Sequence, residues 1–175
     1  RQVERQASDL ERAMAELLSI IAGSATDARP VLEAILETGA RLCGAEGGAA
    51  MLIRENERVW SAAYGEAAAR VQDEGAPQLT LSRDSVSGRA ILERRTVYSA
   101  DVTLEADEYP ETAARAAITG ARAFLASPLL KGEQVVGVLV FTRMAPEPYT
   151  PQQIAMVETF ADQAVIAIEN ARLFN

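Results

Sequence analysis

Two connections between apolar runs are too short to be anything but hairpin turns. Glu55-Asn56-Glu57 separates a predicted strand at 48–54 from one at 58–64, and Lys131-Gly132 separates 122–130 from 133–143. A parallel crossover needs about a dozen residues, so both pairs must run antiparallel. The second hairpin leads through Ala145-Pro146-Glu147-Pro148-Tyr149 into a helix whose start is marked twice. Thr150 and Gln153 have capping-box spacing, and Pro151 sits at the first helical position, where its missing N–H costs nothing. An antiparallel sheet that hands the chain to a long terminal helix is therefore the frame for everything else.

That helix carries two apolar stripes. Ile154, Val157, Ala161, Ala164, Val165 and Ile168 form one, and Met156, Phe160, Ala167 and Ala171 the other. One stripe can dock on the sheet and leave the other for a second subunit. At the opposite end, Val3, Ala7, Leu10, Met14, Leu17, Ile21 and Ser24 recur in steps of four and three, a heptad seam. The seam is read as a coiled-coil helix over residues 1–24, with an amphipathic surface helix as the alternative. Asp27 and Pro30 open the next helix, and Leu32, Ile35, Leu36, Gly39, Leu42 and Cys43 give it one apolar face before Gly44. Residues 66–77, Ala-rich and ending in Gly75-Ala76-Pro77, read as a surface loop, and 78–81 as a short third strand. Asp84 and Ser85 cap a helix through Arg95; 96–100 is a short strand. Residues 101–119 read as irregular, with a helical turn near 111–117.

Composition narrows the chemistry. The chain has one cysteine and no histidine, which excludes a Ser-His-Asp triad, His-ligated haem or zinc, and an internal disulfide. A net charge of −8 disfavours nucleic-acid partners, which require phosphate neutralisation. All but one, Lys131, of the 17 Lys and Arg residues are Arg; with abundant Ala, this points to a GC-rich bacterial genome. No run reaches the roughly 20 apolar residues of a membrane span, and Arg1-Gln2-Val3-Glu4-Arg5 does not read as a signal peptide. A chain opening without Met and already in helical rhythm is read as a piece of a longer protein, with a cytoplasmic location expected.

The apolar strand Val135-Val136-Gly137-Val138-Leu139-Val140-Phe141, the helix that follows it, Asp84-Ser85-Val86-Ser87-Gly88-Arg89-Ala90-Ile91-Leu92 and Phe124-Leu125-Ala126-Ser127-Pro128-Leu129-Leu130 together resemble the GAF family of signalling-protein sensor domains. The resemblance covers roughly residues 17 to 174. It implies an α+β fold with a six-stranded antiparallel sheet in the order 3-2-1-6-5-4. The N- and C-terminal helices would pack on one face, and short helices and loops would form a ligand pocket on the other. A GAF-like domain is thus expected over 25–175, ending in an output helix.

Several subtypes of that family do not fit. The Asn-Lys-Phe-Asp-Glu signature of cyclic-GMP binders is missing, bilin binders need a pocket-side thiol and usually a His, and haem binders need a proximal His. The methionine-sulfoxide-reducing branch needs several cysteines. No catalytic residue, metal or cofactor is therefore expected. The remaining ligand candidates are Ser87, Gly88, Arg89, Tyr98, Tyr109, Thr119 and Arg122. Ser87, Gly88 and Arg89 open a helix, where free N–H groups and the dipole attract anions; the alternative is a well-capped helix with Arg89 in an ion pair. Tyr98 and Tyr109 offer rings and hydroxyls to a ligand or to packing, and Thr119 and Arg122 bound the predicted pocket wall.

Two functions fit: a non-enzymatic sensor that binds a small molecule and relays through its terminal helices to an output domain, and a ligand-free dimerisation module. Both expect a homodimer through the terminal helices, because a lone helix of this length is marginal in water. Light scattering is expected to show a dimer that Leu10→Asp or Leu17→Asp weakens; a monomeric wild-type chain at high micromolar concentration rejects the seam.

Overall fold

The structure, a computed structural model, describes residues 5, 8–16, 27–73 and 79–174. Of the heptad positions, Val3, Ala7, Leu17, Ile21 and Ser24 lie outside the described residues. Residues 8–16 are helical (α1). Ala13 is buried, and Leu10 and Met14 pack against the main core, so this part of the seam is engaged by its own domain.

Helix α2 (Arg29–Cys43) has Pro at its first turn and ends at Gly44, whose φ is 69°. Asp27 Oδ1 accepts from Arg29 N at 3.0 Å, while Ala28 holds the cap position. Strands β1 (Gly47–Arg54) and β2 (Glu57–Tyr64) follow. Their turn is tighter than expected: Arg54 pairs with Glu57, leaving only Glu55 and Asn56, at φ 51° and 68°. Positive φ at both positions is what a two-residue hairpin needs to match the right-handed strand twist. The second hairpin, β5 (Ala123–Lys131) and β6 (Gln134–Arg143), turns at Gly132-Glu133 with Lys131 paired to Gln134.

The predicted loop at 66–77 is a correction: residues Glu66–Asp73 form helix α3. Alanine is the best helix former, and Glu66 and Arg70 close an i,i+4 ion pair at 2.8 Å. The Gly-Ala-Pro punctuation applies only beyond that helix. Strand β3 shrinks to Leu79–Thr80, paired with Glu57 and Arg58. Helix α4 (Val86–Glu93) and strand β4 (Val97–Ser99) come next, then a 3₁₀ turn (Val102–Leu104). Helix α5 (Pro110–Thr119) is a full ten-residue helix where a single turn was expected. The chain closes with α6 (Pro151–Phe174).

The sheet runs β3-β2-β1-β6-β5-β4, antiparallel throughout. Against the six strands expected, β3 is no more than a two-residue edge pairing, which leaves five strands of three or more residues, β4 at the other edge being the shortest of them. Alternation along the central strands divides the interior into two cores. Leu139 and Phe141 on β6, with Leu125 and Leu129 on β5, join α2 and α6 on one face. Val138 and Val140 on β6, with Phe124 on β5 and Met51 on β1, join α4 and α5 on the other. Val157, Phe160, Ala161, Ala164 and Ala167 of α6 are all buried. Both stripes of α6 are thus largely spent on its own domain, and Ile166 is its one large apolar side chain counted as exposed among the described residues.

Cys43 is fully buried at the end of α2. Burial pushes its thiol from the ordinary value of 9.0 up to about 11, against the opposing charge of Arg143. Because the folded-state pKa is raised, the stabilisation is complete below pH 9.0 and is lost as pH rises through about 11. Chemical denaturation across that window is expected to show a fall in stability that Cys43→Ala reduces, the remainder coming from Tyr149 and Tyr109, whose hydroxyls burial also pushes up. The native thiol should also react with a disulfide reagent far more slowly than the unfolded chain does; equal rates overturn the assignment.

Candidate functional site

On the α4–α5 side of the sheet lies a cavity of about 600 Å³, within the range typical of small-molecule sites. Met51, Trp60, Phe124 and Val140 supply its apolar floor. Helix α3 forms one wall through Ala67, Ala68 and Val71, so the segment misread as a loop is structural to the site. Helix α5 forms the other wall with Glu111, Thr112, Arg115, Ile118 and Thr119, positions that share one face of a helix. The first turn of α4 closes one end with Ser85, Val86 and Ser87.

The residue that organises this end is Arg58 on β2, with 1% of its side chain exposed. Its Nη1 donates to Ser85 Oγ at 2.8 Å and Ser87 Oγ at 2.6 Å, and its Nη2 donates to the Thr80 carbonyl at 3.2 Å and Glu111 Oε1 at 2.6 Å. One guanidinium thereby joins β2, β3, the N-terminus of α4 and α5. Ser85 is also the α4 cap, accepting from Gly88 N at 2.8 Å. The Val86 N–H donates to Thr112 Oγ1 at 3.0 Å. The helix end that looked open to an anion in the sequence is already supplied with internal acceptors.

The predicted ligand residues separate accordingly. Ser87 and Thr119 line the cavity; Gly88, Arg89, Tyr98, Tyr109 and Arg122 do not. Gly88 is buried where a Cβ would come 2.0 Å from the Ser82 carbonyl oxygen, so its role is close packing. Arg89 turns outward: it pairs with Glu108, donates to the Arg83 carbonyl at 3.0 Å and lies 4.5 Å over the Tyr109 ring. Tyr109 is a buried core residue and Tyr98 is 47% exposed on the edge strand. Arg122 grips Asp101 with two hydrogen bonds, which hold that carboxyl well below the usual range. Thr119 donates back to the Arg115 carbonyl at 3.3 Å.

Sequence reasoning missed Arg58, Glu111 and Arg115. Arg58 falls on an expected strand, where a basic residue next to a turn reads as solvated. A signal was present in its alternation: Arg58 and Trp60 share one face of β2. Burial lowers the pKa of Arg115, with the charge of Glu111 opposing and that of Arg58 adding. Among the described residues, no group of three or more His, Cys, Asp or Glu side chains is placed to hold a metal ion.

Removing one partner of a buried ion pair costs about 3–5 kcal/mol. Urea unfolding is therefore expected to show that loss for Arg58→Ala, against about 1–2 kcal/mol for Arg89→Ala, whose contacts lie near the surface. Equal losses would remove Arg58 from its organising position.

The family model of the GAF domain matches residues 25–169. No curated protein matches the chain. Among solved structures, the GAF domain of an Acinetobacter phosphoenolpyruvate-protein phosphotransferase is 18% identical with a TM-score of 0.76, covering 98% of this chain and 96% of that one. A methyl-accepting chemotaxis protein fragment, residues 122 to 287, is 22% identical with a TM-score of 0.74, covering 91% and 98%. The free methionine-R-sulfoxide reductase of Neisseria meningitidis, solved with its substrate, is 17% identical with a TM-score of 0.75, covering 94% and 90%. Likeness at these identities speaks to the fold alone.

Proposed function

The chain belongs to the GAF domain family, and we propose that it is a non-enzymatic sensory module of a larger bacterial signalling protein. It binds a small molecule in the cavity and relays occupancy through its terminal helices to an output domain. In this reading residues 1–24 are a signalling helix, 25–175 the sensor, the location is cytoplasmic and the working state is a homodimer. No described helix is long and apolar enough to cross a membrane. The reductase among the structural neighbours motivates an enzymatic alternative. Against it, this chain's one thiol is fully buried in the core on the helix side of the sheet, away from the cavity.

The observation that carries the proposal is the end of β6. Thr142 and Met144 line the cavity, while Arg143 between them points to the other face. Arg143 is 3% exposed and stacks on Tyr149 at 4.0 Å. It donates to the Cys43 carbonyl at the end of α2, to the Glu147 and Pro148 carbonyls, and to Gln153 Oε1 at 3.0 Å. Gln153 Oε1 also accepts from Thr150 N at 2.9 Å as half of the capping box that starts α6. A ligand that displaces Thr142 or Met144 moves the residue that joins the end of α2 to the start of α6. Such a relay requires different affinities for two packings, not occupancy alone.

Native mass spectrometry of the purified chain tests binding, and amide exchange across residues 150–160 tests relay. Ligand is expected to slow exchange there, and Arg143→Met to abolish that change while binding persists. A chain that carries and takes up no small molecule supports the ligand-free dimerisation module instead.

A further inference from the structure

Among the described residues, Arg115 is the cavity's uncommitted cation. Its position four residues after Glu111 on α5 is the spacing at which a helical carboxylate and guanidinium ordinarily pair. Here Glu111 turns to the buried Arg58 instead, at 2.6 Å. Arg70, the third arginine of the lining, is held by Glu66 at 2.8 Å. Among the described residues the Arg115 guanidinium has no hydrogen bond or ion pair, although it is partly buried against the cavity. Desolvating a charge without a hydrogen-bonded partner costs free energy, and the charge of Glu111 on α5 offsets only part of it.

Resting on the sensory reading above, we propose that the ligand is a small organic monocarboxylate whose carboxylate pairs with Arg115 and whose apolar body lies over Trp60, Met51 and Val140. A guanidinium presents two parallel N–H donors to a carboxylate, a match in shape as well as charge. The rest of the lining sets the charge limit. Glu46, Glu66 and Glu111 also face the cavity, so a phosphate ester, with nearly two negative charges at neutral pH, meets repulsion that a single carboxylate largely avoids. Met51, Phe124 and Val140 provide no partners for further polar groups. The floor's one polar side-chain atom, the buried Trp60 Nε1, is a lone donor without a partner among the described residues, which favours a ligand whose strongest polar group is at one end. Ser87 and Thr112, which also line the cavity, are already engaged by Arg58 and by Val86 N–H.

The test is titration calorimetry and thermal shift on the whole chain with hexanoate, benzoate and phenylacetate. The corresponding amides, amines of the same shape and phenyl phosphate serve as controls. At least one carboxylate is expected to bind, its amide about tenfold or more weaker, and phenyl phosphate more weakly still. Arg115→Met should remove the carboxylate preference without lowering the melting temperature of the free protein, and Arg115→Lys should restore part of it. A lower melting temperature in Arg115→Met makes the residue structural and overturns the proposal. Amides or amines binding as well as acids, or phenyl phosphate binding best, also overturn it while leaving the sensory reading intact. Failure of every probe overturns the monocarboxylate assignment, and the sensory reading falls with it only if native mass spectrometry also finds no bound molecule.

Discussion

A guanidinium sealed in the pocket side of this domain holds together elements that could not hold themselves. Helices α3, α4 and α5 are eight to ten residues long, too short to persist alone in water, and β3 contributes only two residues. Arg58 sits where α4, α5 and β3 converge and gives each of those three a charge-assisted hydrogen bond or an ion pair. Charge-assisted bonds are roughly twice as strong as neutral ones. An arginine this deeply buried is tolerated only if most of its donors are matched; Ser85, Ser87, Thr80 and Glu111 match the two Nη groups, and Nε alone is buried without a partner among the described residues. The same commitment fixes the walls of the cavity and takes Glu111 away from Arg115.

The sheet insulates this polar assembly from the helix-side core while keeping the two in register. Residues 138, 140 and 142 of β6 face one way, and 139, 141 and 143 the other. A second buried arginine, Arg143, stands on the far side of the strand whose near side lines the cavity. Each layer therefore has one guanidinium that gathers loop and helix ends, and the two are coupled through strands that cannot shift by one residue without exchanging both cores.

Particular residues mark where the sequence was legible. Thr150, Pro151 and Gln153 announced the start of α6, and the reciprocal bonds at 2.9 and 3.1 Å are there. The two hairpins and the apolar face of α2 were equally clear, because turn chemistry and helical period act over a few residues. Helix α3 was not, since Gly75 and Pro77 lent their character to an alanine-rich stretch that lies before them. Arg89 was legible as a choice of two, and the capped helix with Arg89 in an ion pair is what the fold contains, the side chain reaching Glu108 and stacking on Tyr109.

What the chain determined by itself was an antiparallel α+β domain that hands the chain to a long helix docked on its sheet, with no histidine or multi-cysteine chemistry. These follow from local periodicity, turn length and composition, which need no knowledge of distant contacts. Only the tertiary structure decided which arginine enters the pocket, which pairs at the surface and which is left without a partner among the described residues. Arg58 and Glu111 are 53 residues apart in sequence, and no local pattern records that they meet. A guanidinium looks the same in a sequence whether buried, paired or free; its role is set by what the fold brings within about 3 Å of it.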